Sequence, residues 1–223
     1  MSPSFAIVIP AGPGDRAWEA LLPQLADVRV REVVLVLAQF EDDAVDQPPA
    51  NVTVVRSIAG RARQLNAGAS RTDADWLWFL HADSRIVAST LDALHRFVEA
   101  DATAIGYFDL RFLHDGPRLM FLNTLGAHVR SRLLGLPFGD QGLLMPRRVY
   151  DAIGGFDENL GAGEDHAAIW AARALDIPLR ALRAPVYTSA RKYAQRGWWA
   201  TTCEHVRATA EQARRFSRQG QPS

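Results

Sequence analysis

Asp83 and His81 are the first residues of this sequence that could do chemistry. They follow an apolar run, WLWFL (residues 76–80), that is typical of a buried strand. If extended geometry continues past the run, the two side chains project to the same side, and a carboxylate at such a position can bind a divalent cation. The structural alternative is that Asp83 merely begins the turn into the next helix. The strand alone leaves both interpretations open.

A second acidic site is the pair Glu164-Asp165, which follows GAG (161–163) and opens the helical pattern EDHAAIWAARAL. Acidic residues are common in a first helical turn because the helix dipole favours them there. The functional alternative is a general base, in which one carboxylate accepts a proton and the other orients its neighbour. His166 is then a candidate metal ligand on the same side of the cleft, although a single histidine is more often structural.

Two arginines, Arg61 and Arg63, lie near the start of the helical segment GRARQLNAG (60–68). Free backbone amides and the positive end of the dipole favour phosphate at such a position, and a guanidinium group adds charge-assisted hydrogen bonds. The alternative is a solvated arginine pair on an ordinary helix.

Four apolar runs predict the strands that must position these residues: FAIVIP (5–10), EVVLVL (32–37), NVTVVR (51–56) and WLWFL. Helical patterns separate them, the first of which carries Trp18, Leu21, Leu22 and Leu25. This alternation predicts an α/β fold with a mostly parallel central sheet and helices on both faces. In such sheets ligands bind at the carboxyl ends of the strands. We therefore expect residues 10–15, the residues after Leu37, and residues 81–83 to share one edge.

Beyond Ile105 the alternation loosens and predicts a smaller second lobe laid against the first sheet. Its expected parts are a strand at about 104–112, a helix at 118–134, glycine-rich GDQG and GGFDENLGAG, and the helix from Glu164; a last helix covers about 198–218. The helix at 118–134 carries Leu119, Met120, Phe121, Leu122 and Leu125. Core packing is the expected use of these side chains, and contact with a membrane or a lipid acceptor is the alternative.

Composition excludes several classes of protein. Twenty-five basic and twenty-five acidic residues give zero formal net charge, which removes the broad electrostatic basis for a nucleic-acid partner. Cys203 is the sole cysteine, so an internal disulfide and a multi-cysteine zinc site are excluded. The first residues lack the pattern of a signal peptide, and no window reaches the roughly 18–20 apolar residues of a membrane span. The expectation is a soluble, cytoplasmic protein.

Taken together and in chain order, the motifs resemble those of family 2 glycosyltransferases of the GT-A fold. Four separated segments carry the resemblance: GRARQLNAG (60–68), HAD (81–83), RRVY with GGFDE (147–158) and ED (164–165). A bacterial subgroup with GRARQ-N-AG, HAD-(S/T) and GDQ is closer still, and the segment RKY with GWW (191–199) is similar to its C-terminal aromatic segment. The resemblance covers about residues 5–182.

This resemblance implies a single domain, 1–223, that transfers a sugar with inversion from a nucleotide-diphospho-sugar. Its parts would be a nucleotide-binding half (1–103), an acceptor-side half (104–190) and a C-terminal helical segment (191–223). Asp83 would hold Mg or Mn, with His81 and His166 as further candidate ligands. Asp165 would be the base, supported by Glu164. The implied donor contacts are Pro10, Ala11, Arg61, Asn66, Ala82 and Asp83, and the implied sugar or acceptor contacts are Asp140, Gln141 and Trp198. The acceptor, whether small molecule, lipid or glycan, stays open, as do the oligomeric state and a peripheral membrane contact.

Two departures from the family pattern keep alternatives open. The family usually has an acidic or Asn-Glu pair after the first strand, where this chain has AGPGD (11–15), and an aspartate after the second, where it has LAQFEDD (37–43). A degenerate, non-catalytic binding or regulatory protein is therefore the second hypothesis. A nucleotidyltransferase is the third, but it would need more phosphate-binding residues in AGPGD. Asp83 and the pair Glu164-Asp165 favour catalysis, because a binding protein has little use for a base.

Overall fold

The computed structural model of the protein describes residues 3–26, 28, 30–39, 48–100 and 103–219. Within these ranges the strands are β1 (Phe5–Ala11), β2 (Glu32–Ala38), β3 (Val52–Ser57), β4 (Trp76–Phe79), β5 (Ile105–Phe112), β6 (Leu143–Pro146) and β7 (Leu179–Thr188). The α-helices are α1 (Leu22–Leu25), α2 (Arg61–Arg71), α3 (Ala88–Glu99), α4 (Met120–Leu133), α5 (Arg147–Ala152), α6 (Glu164–Ala174), α7 (Arg191–Arg196) and α8 (Trp198–Gln219).

The strands form one sheet in the order β3-β2-β1-β4-β6-β5-β7. β6 runs antiparallel to β4 and β5, and the other neighbouring pairs are parallel. The predicted α/β class with a mostly parallel sheet is confirmed. Because β6 alone is reversed, the residues before it lie at the edge where the residues after β4 lie. Residues 104–190 extend this sheet with three strands, whereas the sequence suggested a lobe laid against it.

Both faces of the sheet are buried, as continuous apolar runs predict for parallel strands. Along β1, Ile7 and Ile9 belong to one core cluster, while Val8 between them belongs to the other. Helix α3 covers the first face through Leu94 and its apolar neighbours. Helix α2 covers the second face through Leu65. The site-bearing edge therefore rests on a sheet with a core on each side.

Gly68 lets α2 lie unusually close to the sheet. A Cβ at this position would come within 2.4 Å of Val8 Cγ1 and 3.0 Å of Val36 Cγ2. A larger residue would push the helix away from β1 and β2. Since Arg61 begins this helix, the close contact also fixes the distance between its guanidinium group and the sheet edge.

The first predicted helix is shorter than its pattern suggested. A 3₁₀ turn covers Ala17–Ala20 and α1 covers only Leu22–Leu25, with Pro23 in its first turn. Proline lacks the N–H that would continue the preceding turn. Just before the 3₁₀ turn, Asp15 Oδ1 accepts a hydrogen bond from the Ala17 N–H at 3.0 Å.

The core packing expected for the apolar residues between 119 and 125 is wrong for four of the five. Met120 is buried, but Leu119, Phe121, Leu122 and Leu125 are exposed, with Phe121 at 63%. The helix packs instead through smaller residues such as Ala127 and Ser131. None of the helices in the described ranges is long and apolar enough to cross a membrane.

Candidate active site at the carboxyl edge of the sheet

Asp83 lies just beyond β4, as the sequence predicted. Its Oδ2 accepts a hydrogen bond from Thr188 Oγ1, at the end of β7, at 3.0 Å. Burial raises the pKa of Asp83, and the Asp15 carboxylate raises it further, against the Thr188 hydrogen bond that lowers it. The loop after β1 therefore reaches Asp83. A buried carboxylate of this kind is favoured as an ion when a cation is bound beside it.

Arg61 occupies the centre of the edge between His81 and Glu164. Its Nε lies 2.7 Å from Glu164 Oε1, and its terminal nitrogens contact both ring nitrogens of His81. Burial, with Arg61 as a second cause, holds the pKa of His81 well below 6.5, so the imidazole is neutral at physiological pH. The contact found for His81 is thus with a guanidinium group. Its role toward a metal stays a prediction.

Asp165 is held by two backbone donors. Gly139 N donates to its Oδ2 at 2.6 Å, and its own neighbour His166 N donates to Oδ1 at 2.8 Å. Gly139 begins a 3₁₀ turn (Gly139–Gln141) immediately before the reversed strand β6. The reversal of β6 is therefore what brings this turn to α6, where Asp165 lies in the first helical turn.

Gly139 is the point at which the site residues converge. A Cβ there would come within 2.6 Å of Arg61 Nη2, 3.1 Å of Asp165 Oδ2 and 3.2 Å of His81 Nε2. These three side chains belong to three separate sequence motifs. The structure therefore brings the GRARQ, HAD and ED segments together around one glycine, which the predicted GDQG segment supplies.

Asp140 adds a third carboxylate to this edge. Burial raises its pKa, the nearby charges of Asp165 and Asp83 raise it as well, and Arg130 and Arg61 oppose them. Arg130 Nη2 is 3.9 Å from Asp140 Oδ1, and that oxygen is buried without a hydrogen-bond partner. The site thus gathers Asp83, Asp140 and Asp165 with two arginines between them.

Arg130 was missed by the sequence analysis. It comes from α4 and its guanidinium carbon lies 3.3 Å from the centre of the Phe138 ring. It also donates to Gln141 Oε1 at 3.2 Å and to Leu136 O at 3.1 Å. A signal was available, because Arg130 falls on the helical face of Asn123 and Ala127 and opposite the exposed apolar side chains.

Gln141 and Trp198, two further predicted contacts, form hydrogen bonds within the protein. Gln141 is fully buried and donates to Phe108 O at 3.0 Å, which fixes the turn to β5. Trp198 donates from Nε1 to Asn123 Oδ1 at 2.7 Å and packs against the cluster around Met120. Neither contact brings the side chain to the three carboxylates.

His166 is fully buried beneath the site. Its ring lies edge-on to Phe138, with centroids 4.1 Å apart. Burial lowers its pKa to about 4, against the charge of Asp165 and a hydrogen bond with Gln212 that raise it. The imidazole is neutral near pH 7 and is enclosed by protein.

On the predicted donor side, Pro10 and Ala11 end β1, and Ala82 is buried in the core beside Asp83. Gln64, which the sequence analysis missed, is buried and donates from Nε2 to Ala11 O at 2.6 Å and to Val36 O at 3.0 Å. It joins the ends of β1 and β2. Asp42 and Asp43, in the segment that departs from the family pattern, lie outside the described residues.

Asn66 uses every hydrogen-bonding group it has within the protein. Its Oδ1 accepts from Tyr150 Oη at 2.8 Å and Phe156 N at 3.0 Å, and its Nδ2 donates to Phe156 O and Glu158 Oε1, both at 2.8 Å. An asparagine side chain has no more than two acceptor and two donor sites. Asn66 therefore ties α2 to the loop that precedes Asp165.

A cleft of about 310 Å³ lies between that loop and the start of α2. Its wall includes Arg61, Arg63 and Glu164, together with residues 158–161. The Arg61–Glu164 ion pair belongs to this wall, and so do the residues of the first turn of α2. Such a cleft can take an anionic group that competes for two guanidinium groups, those of Arg61 and Arg63, which Glu164 and Glu158 of the same wall now pair.

The fold of this protein is similar to that of several solved structures. Mannosyltransferase PcManGT from Pyrobaculum calidifontis, in complex with GDP-Man and Mn²⁺, superposes with a TM-score of 0.70 and 20% identity, over 100% of this chain and 66% of that one. S. aureus TarS 1-349 with UDP-GlcNAc gives 0.59 and 18%, over 83% and 58%. GalNAc-T7 with UDP, GalNAc and Mn²⁺ gives 0.64 and 12%, over 84% and 44%. The chain spans less than two thirds of the length of each.

No family model and no curated protein matches this chain. The identities to the solved structures are low, so the similarity establishes architecture. The chain has the GT-A fold of these glycosyltransferases, as the sequence motifs predicted.

Proposed function

We propose that this protein is an inverting glycosyltransferase that moves a sugar from a nucleotide-diphospho-sugar to a hydroxyl group of a small molecule, lipid or glycan. The observation that carries the proposal is the convergence of Asp83, Asp140 and Asp165 with Arg61 at the carboxyl edge of a GT-A sheet. Solved structures with this fold contain UDP-GlcNAc or GDP-Man. The motif resemblance to family 2 supports the same assignment, with the whole chain acting as one domain.

Asp165 is the proposed general base. It would take the proton of the acceptor hydroxyl as that oxygen bonds to the anomeric carbon, while the bond from that carbon to the diphosphate breaks and the nucleoside diphosphate leaves. Attack opposite the leaving group inverts the configuration. The two backbone N–H groups that bind Asp165 fix its direction, and a base must be positioned before its pKa matters. Glu164, paired with Arg61, keeps the guanidinium group beside this base.

Asp83 is the proposed ligand of a divalent cation, Mg or Mn, and Asp140 is a second carboxylate at the same edge whose pKa is raised by the charge of Asp83. No group of three or more acidic, histidine or cysteine ligands occurs in the described residues. One or two carboxylates are enough for a Mg²⁺-type site when water and substrate phosphate complete the coordination. Burial raises the pKa values of Asp83 and Asp140 because it disfavours their ionised forms. A bound cation would offset that cost by pairing with the negative charge. When bound, such a cation neutralises charge that develops on the diphosphate.

Donor binding is tested by thermal shift with UDP, GDP, CDP and dTDP, each with and without Mn²⁺. We expect at least one diphosphate to raise Tm only with the metal, and Asp83→Asn to lose the effect. Asp92→Asn, an exposed aspartate on α3, is the matched control and should respond like wild type. No response to any of the four would contradict donor binding and leave the non-catalytic hypothesis.

The base is tested with Asp165→Asn. Transfer should fall at least about a hundredfold because an amide cannot accept the proton, while donor binding persists. Both oxygens of Asp165 accept N–H groups, so the amide also places a donor against a donor and costs about 1–3 kcal/mol. The Tm of the variant separates that local loss from lost chemistry. If donor affinity falls as far as turnover does, the assignment of Asp165 as base is wrong.

A further inference from the structure

The outward face of α4 is apolar. We call the α4 face the set of exposed side chains Phe121, Leu122, Leu125, Val129 and Leu133, which are between 41% and 77% exposed. At 3.6 residues per turn they fall within a sector of about 120°. Single exposed apolar residues are ordinary on a protein surface, but a contiguous set of five marks a contact site.

The helix is oriented with its apolar side outward, opposite to the usual arrangement. Its inward side carries Ala127 and Ser131, and Asn123 binds Trp198 and Thr202 of α8. A helix on a globular protein normally buries its apolar stripe. Because the inner contacts of α4 are polar and specific, the helix is anchored in this orientation, and rotation into the core would break them.

The charges on this helix are all of one sign. Residues 116–139 contain no aspartate or glutamate. At 3.6 residues per turn Arg132 falls in the same sector as the α4 face, and Arg118 lies in the turn just before the helix. Arg118 is exposed, and Arg132 is partly neutralised by Asp109, which accepts two hydrogen bonds from its Nη2 at 2.6 and 2.8 Å. Apolar side chains flanked by arginine suit the boundary between headgroups and acyl chains of an anionic bilayer.

A second copy of the chain fits this face less well. In a two-fold dimer the same patch would meet itself. Arg118 of each copy would then enter one interface without an acid from the helix to pair with it, whereas Arg132 keeps its pair with Asp109. Like charges across an interface oppose association. A lipid surface with anionic headgroups meets the same arginines with opposite charge.

We propose that the α4 face docks the protein on a lipid bilayer that carries anionic headgroups. The helix lies in the plane of the headgroups, with Phe121, Leu125 and their neighbours among the upper acyl carbons. The inner side of the same helix carries Arg130, which contacts Asp140. Docking therefore holds the carboxylate edge of the sheet close to the bilayer. The inference stands whether or not the protein transfers sugar.

The test is co-sedimentation of the full chain with sucrose-loaded vesicles at low salt. One set is phosphatidylcholine alone, and the other contains about 30% phosphatidylglycerol, enough to give the surface a strong negative potential. Leu125→Ser is compared with Leu175→Ser, because the two leucines are 57% and 51% exposed but Leu175 lies at the end of α6. All variants change exposed residues, so wild-type Tm is expected and is measured for each.

We expect wild type to bind the anionic vesicles. Leu125→Ser should lower the partition coefficient about tenfold and the double variant Phe121→Ser/Leu125→Ser at least about thirtyfold, in proportion to the apolar area lost. Leu175→Ser should change nothing. Arg118→Glu should lower binding about tenfold on anionic vesicles.

Three outcomes would overturn the proposal. The first is no binding of wild type to anionic vesicles at low salt. The second is equal binding to both vesicle types, which removes the role of charge. The third is a wild-type dimer in light scattering that Leu125→Ser converts to monomer, since a second copy would then cover the α4 face.

Discussion

The ion pair between Arg61 and Glu164 supports a quantitative prediction about stability. Arg61 Nε lies 2.7 Å from Glu164 Oε1, and the two side chains are 34% and 8% exposed. Arg61→Gln leaves the Glu164 carboxylate buried without its cation. Removing one partner of a fully buried pair costs about 3–5 kcal/mol. Because Arg61 is one third exposed, water screens part of the interaction, and we expect Arg61→Gln to lower the free energy of unfolding by about 2 kcal/mol.

For a chain of this length, 1 kcal/mol shifts Tm by about 2–4 °C, so Arg61→Gln should melt about 4–8 °C below wild type at pH 7.5. The loss should shrink in acid. Burial raises the pKa of the Glu164 carboxyl above its ordinary value of 4.5, and the charge of Arg61 opposes that rise. A carboxyl whose pKa is higher in the folded state than in the unfolded state stabilises the folded protein at pH values below the unfolded pKa. That stabilisation disappears as the pH rises through the folded pKa. Removing Arg61 enlarges that effect, so the variant should approach wild type toward pH 4.

The assay is a double-mutant cycle by chemical denaturation, using Arg61→Gln, Glu164→Gln and the double variant at pH 4.5 and 7.5. The coupling free energy should be about 1–2 kcal/mol at pH 7.5 and smaller at pH 4.5. Arg63→Gln is the control, because its pair with Glu158 spans 3.8 Å and both side chains are 47% exposed; it should stay within about 0.5 kcal/mol of wild type. A cycle without coupling, or a loss that does not depend on pH, would refute the reasoning.

Two further predictions concern Gly139 and His166. Gly139→Ala places a Cβ 2.6 Å from Arg61 Nη2 and should lower the free energy of unfolding by about 1–3 kcal/mol. Gly126→Ala meets no atom within 4 Å and should stabilise α4 by about 0.5–1 kcal/mol. Equal effects of the two substitutions on Tm would contradict the crowding at Gly139. Burial lowers the pKa of His166 to about 4. The free energy of unfolding of the wild type should therefore fall by about 3 kcal/mol, relative to that of His166→Gln, as the pH falls from 6.5 to 4. Parallel profiles of stability against pH for the two proteins would show that this histidine is not buried as a neutral group.

Apolar runs in the sequence predicted the strands that are buried on both faces of the sheet. FAIVIP, EVVLVL and WLWFL are apolar on both faces and became β1, β2 and β4. The strand β6 was not predicted, because LLMP is four residues long and its pairing with β4 and β5 depends on contacts distant in sequence. Since β6 places the Gly139 turn at the site, the convergence of three motifs on one glycine could not be predicted from spacing.

The orientation of α4 shows a second limit of sequence patterns. Its apolar residues predicted core packing, but the helix is fixed by Asn123, Ala127 and Arg130, whose partners lie in other elements. Periodicity finds an apolar stripe and does not say whether the stripe faces the core. At the site, the family resemblance implied that Asp83 and Asp165 belong to one site. Arg130 and Gln64 were missed, and their contacts with Gln141, Ala11 and Val36 join them to other elements of the fold.

Asn66 has a consequence for how this chain can change in evolution. Its amide satisfies four groups at once, belonging to Tyr150, Phe156 and Glu158. A single substitution at this position leaves several of them unpaired, and losing the tyrosine hydroxyl leaves one acceptor site of the asparagine unfilled. We expect positions 66, 150 and 158 to co-vary as one unit among relatives of this protein. A relative that lacks the asparagine should also carry a rebuilt loop ahead of the acidic pair.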